Sequence, residues 1–140
     1  MTQFTDLPTA EFAFPGPLRD RLVESILQGT KTSTTSTLIE YHIVNEELPE
    51  VGDRSVVIDS SGKGVGVIEV TQVRIERLAD VDLAHAVDEG EGFASVSEWC
   101  RDHVSFWESS EMRAAMGDPG FTVSSDSKLV LTRFELIARL

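Results

Sequence analysis

The sequence predicts an α+β fold with a mostly antiparallel sheet, and three observations carry that prediction. Apolar residues recur at helical spacing in two separated stretches, one starting at Leu18 and one near Ser95. Runs rich in Val and Ile, at Ser55 to Asp59, Val65 to Val73 and Lys128 to Leu136, read as strands. Turn-forming Gly, Pro, Asp and Ser clusters separate these elements, and no repeat or low-complexity block interrupts them.

In chain order, residues 1–11 are polar and are expected to be a loosely ordered N-terminus. A single domain is expected over residues 12–140. Phe12-Ala13-Phe14-Pro15-Gly16-Pro17 opposes helix until residue 18. Leu18, Leu22 and Ile26, flanked by Val23 and Leu27, predict a helix over 18–28, with Gly29 where a C-terminal cap belongs. Thr30 to Thr37 is a tract of hydroxyls holding one lysine. Leu38 to Val44 suits a strand by its β-branched content and equally suits a short helix. Pro49 to Asp53 is turn chemistry, and Ser60 to Gly64 connects the first two strands, the second of which can extend to Glu76.

Asp80 or Asp82 can cap a helix through Val87, which Asp88-Glu89-Gly90-Glu91-Gly92 then breaks. Ser95 or Ser97 can cap the next. Its stripe of Val96, Trp99, Cys100, His103, Phe106 and Trp107 predicts a core-facing helix. Two final strands are expected around Phe121–Val123 and Lys128–Leu136.

Composition excludes several function classes. The 140 residues suit one domain, and 41% apolar content is that of a globular chain. Cys100 is the single cysteine, so no intrachain disulfide is expected. Met1 to Pro8 has no basic residue and no long apolar run, and no stretch approaches the ~20 apolar residues of a membrane span. No signal peptide or membrane association is therefore expected, and the expected location is the cytoplasm. Twelve Lys and Arg against 24 Asp and Glu give a formal charge of −12, which repels polyanions. A small ligand or a short stretch of nucleic acid fits this balance better than a long duplex, whose binding relies on counterion release.

Two segments can carry chemistry. Gly29-Thr30-Lys31-Thr32-Ser33-Thr34-Thr35-Ser36-Thr37 places one of only three lysines among hydroxyls. A buried lysine can activate a Thr or Ser nucleophile. Alternatively it can hold a phosphate or carbonyl oxygen, with hydroxyls and backbone N–H groups completing the cradle. On these residues alone, an exposed Thr-rich strand is the plainer reading. In the acidic run Asp88-Glu89-Gly90-Glu91-Gly92, alternating glycines let the backbone approach a ligand and aim a carboxylate into a pocket, and crowded carboxylates can make a general acid. A solvated loop is the plainer reading there too.

Other candidates are weaker. Gly62-Lys63-Gly64-Val65-Gly66 lies between two strands and reads as a hairpin turn. Cys100 and His103 form one pair on an apolar stripe, which is core packing before it is a metal site. His42 and His85 have no partner identifiable in sequence. No metal or cofactor is expected.

Several motifs together resemble the ASCH domain family. They are Gly29-Thr30-Lys31-Thr32-Ser33-Thr34, Leu48-Pro49-x-x-Gly52-Asp53, Asp59-x-x-Gly62, and Val67-Ile68-Glu69-Val70-Thr71-x-Val73. Ala86-x-x-Glu89-Gly90-Glu91-Gly92-x-x-Ser95, with Trp99 and His103-x-x-Phe106, continues the match, which spans roughly residues 12 to 137 in order. The resemblance implies a PUA-like small β-barrel with two to three flanking helices and a cleft where the lysine segment lies near the acidic turn. It implies binding of a nucleoside, nucleotide or short RNA.

A shorter branch hydrolyses the acetamide of N4-acetylcytidine with a Lys, a Thr three residues later, and a Glu. Carried over, Lys31 activates, Thr34 is the nucleophile, and Glu89 positions or exchanges protons. Ser33, Thr35, Ser36, Glu91 and Arg101 are then substrate contacts. Relatives of this length differ in three places. They carry a tryptophan where Phe12-Ala13-Phe14 stands, an acidic residue at Phe93, and an arginine at Cys100, with Arg101 one position later here.

The expected function is thus ligand binding in that cleft, with hydrolysis of an amide or of an RNA phosphodiester as the activity the resemblance allows. The alternatives are a non-catalytic RNA-binding module and a regulatory interaction domain. Oligomeric state is not legible in the sequence.

Overall fold

The computed structural model describes residues 6–140, so the loosely ordered start expected for residues 1–5 lies outside the described residues. Of the remaining N-terminal stretch, Thr9–Ala10 form a short strand, β1. Helix α1 (Pro17–Gln28) and strand β2 (Ser33–Thr37) follow, then helix α2 (Leu38–Ile43) and strands β3 (Arg54–Ile58) and β4 (Gly64–Arg77). A 3-10 turn over Leu78–Asp80 leads to helices α3 (Leu83–Asp88), α4 (Val96–Trp107) and α5 (Ser110–Met116), and strand β5 (Lys128–Arg139) completes the fold.

The five strands form one sheet in the order β1-β3-β4-β5-β2, antiparallel except for the β1–β3 pair. The α+β class is as the sequence predicts. In the hydrogen-bonded ladder, β1 and β2 are the two edges and do not pair with each other. Among the described residues the sheet is therefore open, where the family resemblance implies a small β-barrel. Among the described residues there are also five α-helices rather than two to three.

Local chemistry explains the elements that the sequence left open. Leu38–Ile43 is helical because Thr37-x-x-Glu40 forms a capping box. The Glu40 carboxylate accepts from the Thr37 N–H at 2.7 Å and from its hydroxyl at 2.6 Å. Asp82 rather than Asp80 caps α3, accepting from the His85 N–H, and Ser95 rather than Ser97 caps α4. Helix α5, not anticipated, is capped by Ser109 and buries Met112 and Met116 one turn apart. Phe121–Val123 is not a strand. Its backbone is held by side chains instead, with Arg113 Nε donating to Phe121 O and Val123 N–H donating to Glu108.

Helices cover both faces of the sheet. Along β5, Leu129 and Leu131 point to one face, where Trp99, Trp107, Met112 and Met116 of α4 and α5 pack with Ala86 of α3. Phe134 points to the other, against Phe12 and the Leu22, Val23 and Ile26 stripe of α1. The β2 register then sorts the hydroxyl tract. Thr35 stands opposite Leu131 and so faces α3 and α4, while Thr34 stands opposite Thr132 on the other face.

Candidate functional site

Two chain segments are locked together before any side chain meets. Helix α1 ends at Gly29, left-handed at φ 84°, and the N–H groups of Thr30 and Lys31 then both donate to Ser25 O. The Thr32 N–H donates to Asp88 O at 2.7 Å, joining this turn to the end of α3. Beyond Glu89 the chain turns at Gly90 with φ +76°. A Cβ on Gly90 would lie 2.7 Å from Thr30 O and 2.8 Å from Lys31 N and Cα, so only glycine lets the two backbones touch here.

This docking carries Lys31 and Glu89 into contact, each 2% exposed. The Lys31 ammonium donates to Ser33 O at 2.8 Å and lies 3.4 Å from both Glu89 O and Glu89 Oε1. Three donors thus meet three acceptors. The Glu89 carboxylate is saturated in turn. Oε1 also faces His103 Nε2 at 3.1 Å, while Oε2 accepts from the Thr35 hydroxyl at 2.6 Å and from Trp99 Nε1–H at 2.8 Å.

The surrounding groups fix the proton positions. The single Thr35 hydroxyl hydrogen goes to Glu89, so His85 Nε2, 2.7 Å from Thr35 Oγ1, carries a hydrogen and donates. His85 Nδ1 is buried and has no partner among the described residues. His103 stacks on Trp99 with ring centroids 4.3 Å apart. Its Nδ1 faces Trp99 O at 2.9 Å and its Nε2 faces Glu89 Oε1. Both partners only accept, so the imidazolium satisfies both.

Electrostatics follow from this geometry. Burial alone would push the Glu89 carboxyl up, but the hydrogen bond from His103, the His85 N–H at 3.5 Å and the charge of Lys31 hold it well below the usual range. Burial alone would lower His103, yet its bond to Glu89 and that residue's charge raise it. Glu91 is raised, chiefly by burial, with Glu89 and Asp102 adding to the effect and Lys31 and His103 opposing it.

The cluster lies at a cleft of about 1020 Å³ that Lys31, Thr34, Thr35, Ser36, Glu89, Glu91 and His103 help to line. Phe12, Tyr41, Phe106 and Phe134 supply aromatic wall. The cleft thus gathers most of the residues singled out in the sequence. Thr34 lines it but makes none of the Glu89 contacts, which belong to Thr35. Ser33 is fully buried and its hydroxyl donates to His85 O at 3.0 Å. Arg101 is exposed and does not line the cleft.

Sequence reasoning passed over His85, Trp99 and His103 as site residues, reading the last two as core packing. A usable signal existed. His85 precedes Glu89 by four residues and His103 follows Trp99 by four, which puts each pair on one helical face. Glu89, Glu91 and His103 bring one ligand-type atom each to within 4.8 Å of one another. Glu89 and His103 already direct theirs at each other and at Lys31, Thr35 and Trp99, whereas Glu91 has only Arg21, 3.7 Å away, as a charged partner among the described residues.

Comparison with known proteins identifies the fold and the family. An ASCH domain from Lactobacillus crispatus JV V101 is 27% identical with a TM-score of 0.81, covering 97% of this chain and 82% of that one. Protein EF3133 from Enterococcus faecalis V583 is 25% identical with a TM-score of 0.81, covering 94% and 77%. No curated protein matches the chain. The model of the ASCH domain matches residues 11–138, nearly the whole length, and the chain belongs to the ASCH domain family.

Proposed function

We propose that the cleft binds a free nucleoside and hydrolyses an exocyclic amide on its base, of the kind found in N4-acetylcytidine. The observation that carries this reading is the buried Lys31–Glu89 pair at a cleft that also presents aromatic side chains and the Thr34 hydroxyl. Aromatic walls suit a planar base. Thr34 is the hydroxyl that attacks the amide carbon, and Lys31, whose three N–H donors are spent on Ser33 and Glu89, fixes Glu89 at the edge of the cleft.

Charge chooses among the ligand classes. The cleft walls carry nine carboxylates, among them Glu40, Glu46, Glu50 and Asp53, against three basic side chains, Lys31, Arg54 and His103. Lys31 is already bound to Glu89. A phosphodiester or nucleotide phosphate meets repulsion there, whereas an uncharged nucleoside does not. This supports amide hydrolysis over RNA cleavage, and a PUA-like ancestry for the fold is consistent with a base-binding cleft.

The test is incubation of the protein with N4-acetylcytidine, followed by chromatography, with Lys31→Ala alongside and its folding checked by thermal melting. Release of cytidine by the parent and none by a folded variant is the expected result. Parent protein that neither binds nor cleaves the nucleoside, yet binds a short RNA with steep salt dependence, overturns the reading in favour of an RNA-binding module.

A further inference from the structure

We propose that Glu91, not Glu89, is the group in this cleft that takes up and releases the proton during the reaction. The inference deepens the hydrolase reading and rests on it for the chemical step, though the identity of the exchanging carboxylate can be tested without it.

A carboxylate that moves a proton needs a free lone pair aimed at the ligand. Glu89 has none to offer, because Lys31, His103, Thr35 and Trp99 occupy both of its oxygens. Protonating it would also set a carboxyl hydrogen against four donors inside the core. Glu91 is differently placed. It lines the same cleft, and one of its oxygens lies within 4.8 Å of a Glu89 oxygen and a His103 ring nitrogen.

The groups facing Glu91 from neighbouring elements are Lys31, His103, Glu89 and Asp102, with Arg21 of α1 at 3.7 Å. Lys31 and His103 are both engaged by Glu89, and Arg21 is 66% exposed, so its pull is screened by solvent. Gly90 and Gly92, both at positive φ, aim this short loop and leave the Glu91 side chain as its cleft-facing group. Burial with two anions nearby raises the Glu91 carboxyl above its ordinary value, the direction that a residue taking up a proton requires.

The Glu91 carboxylate takes the Thr34 hydroxyl proton as Thr34 Oγ1 bonds to the amide carbon. The neutral carboxyl then gives that proton to the amide nitrogen as the C–N bond breaks and the amine leaves. Water attacks the Thr34 ester; Glu91 accepts the water proton and returns it to Thr34 Oγ1 as the acid departs. Glu89 keeps its charge throughout.

The first arm of the test needs no ligand. Protein labelled with 13C at glutamate carboxyls is titrated by NMR, and the Glu91 signal is identified by its loss in Glu91→Gln. Glu91 is expected to titrate above the ordinary glutamate value of about 4.3, with Glu89 unmoved through that range. A Glu89 signal titrating above Glu91 overturns the proposal. In the second arm, Glu91→Gln lowers kcat on N4-acetylcytidine by about 100-fold or more and removes the acid limb of the pH profile. The KM stays within about threefold of the parent. Parental kcat with an unchanged pH profile overturns the proposal. If the parent itself turns nothing over, the hydrolase reading falls, and the first arm still decides which carboxylate exchanges the proton.

Discussion

Lys31 and Glu89, 58 positions apart in sequence, meet at 3.4 Å with both side chains almost wholly shielded from water. Two opposite charges removed from water are tolerable only if each finds its full set of partners. Both do, through Ser33, Thr35, Trp99 and His103. The pair is therefore a folding element as well as a site element, and variants must be read on both scales.

Replacing Lys31 with Met leaves Glu89 charged and buried with one cation fewer. The expected loss is about 3–5 kcal/mol, the range seen when one partner of a buried ion pair is removed. The double variant Lys31→Met, Glu89→Gln should recover part of that loss, because the uncompensated charge is gone. Urea unfolding of these two and of the single variant Glu89→Gln gives the coupling directly. Strict additivity would mean that the pair contributes no interaction of its own.

Adjacent hydroxyls separate stability from activity. Thr35→Val removes a donor from Glu89 Oε2 and an acceptor from His85 Nε2, both inside the fold, and should destabilise by about 1–3 kcal/mol. Thr34→Val touches neither contact and should stay within about 0.5 kcal/mol of the parent. If Thr34 is the attacking hydroxyl, that second variant loses turnover of N4-acetylcytidine while melting like the parent. A Thr34→Val protein with full turnover would transfer the role to another group.

The contrast between those neighbours shows where sequence reading stops. Helices α1 and α4 are legible because their stripes, caps and the Gly29 stop all agree. Helix α5 is not, since Met112 and Met116 are only two apolar anchors and their value depends on the α4 surface beneath them. Val123 and Phe121 look like strand residues, but they join no ladder, and Arg113 of α5 and Glu108, just past α4, hold their backbone instead. At the site, the Lys31 tract and the acidic turn stand out by composition. Which threonine faces Glu89 depends on the register of β2 against β5, a long-range pairing that local pattern does not encode. His85 and His103 look apolar by position because they are buried, and their polar role exists only once Glu89 is placed between them.

Stability should depend on pH through the same cluster. The folded-state pKa of Glu89 is depressed despite burial, so its contribution is present above the unfolded glutamate value of about 4.3 and is lost as pH falls through the folded value. His103 is raised, so its contribution is full below the unfolded histidine value of about 6.5 and is lost as pH rises through its folded value. His103→Gln should therefore be less stable than the parent near pH 5, with the gap narrowing as pH rises above about 6.5. Urea midpoints from acid to alkaline pH test this. A gap that stays constant across the range would assign the loss to packing on Trp99 rather than to the proton.

Gly90 and Gly92 give the sharpest local comparison, because both adopt positive φ in the same loop but only one is crowded. At Gly92 (φ +83°) nothing lies within 4 Å of an added Cβ, so Gly92→Ala costs only the left-handed backbone penalty of roughly 1–2 kcal/mol. At Gly90 (φ +76°) the added carbon meets backbone atoms of Thr30 and Lys31 at 2.7–2.8 Å, and backbone cannot swing aside as a side chain can. Relief requires the acidic turn to lift off the lysine segment, which stretches the Lys31–Glu89 contact and the Thr32–Asp88 hydrogen bond together. Gly90→Ala should therefore exceed the cost of Gly92→Ala by more than about 1 kcal/mol. It should also raise the titration point of Glu89 toward the ordinary glutamate value, because its buried donors are drawn away. Equal stability losses at the two glycines, with Glu89 unmoved, would show that the two segments are held by side chains and that their backbone contact is incidental.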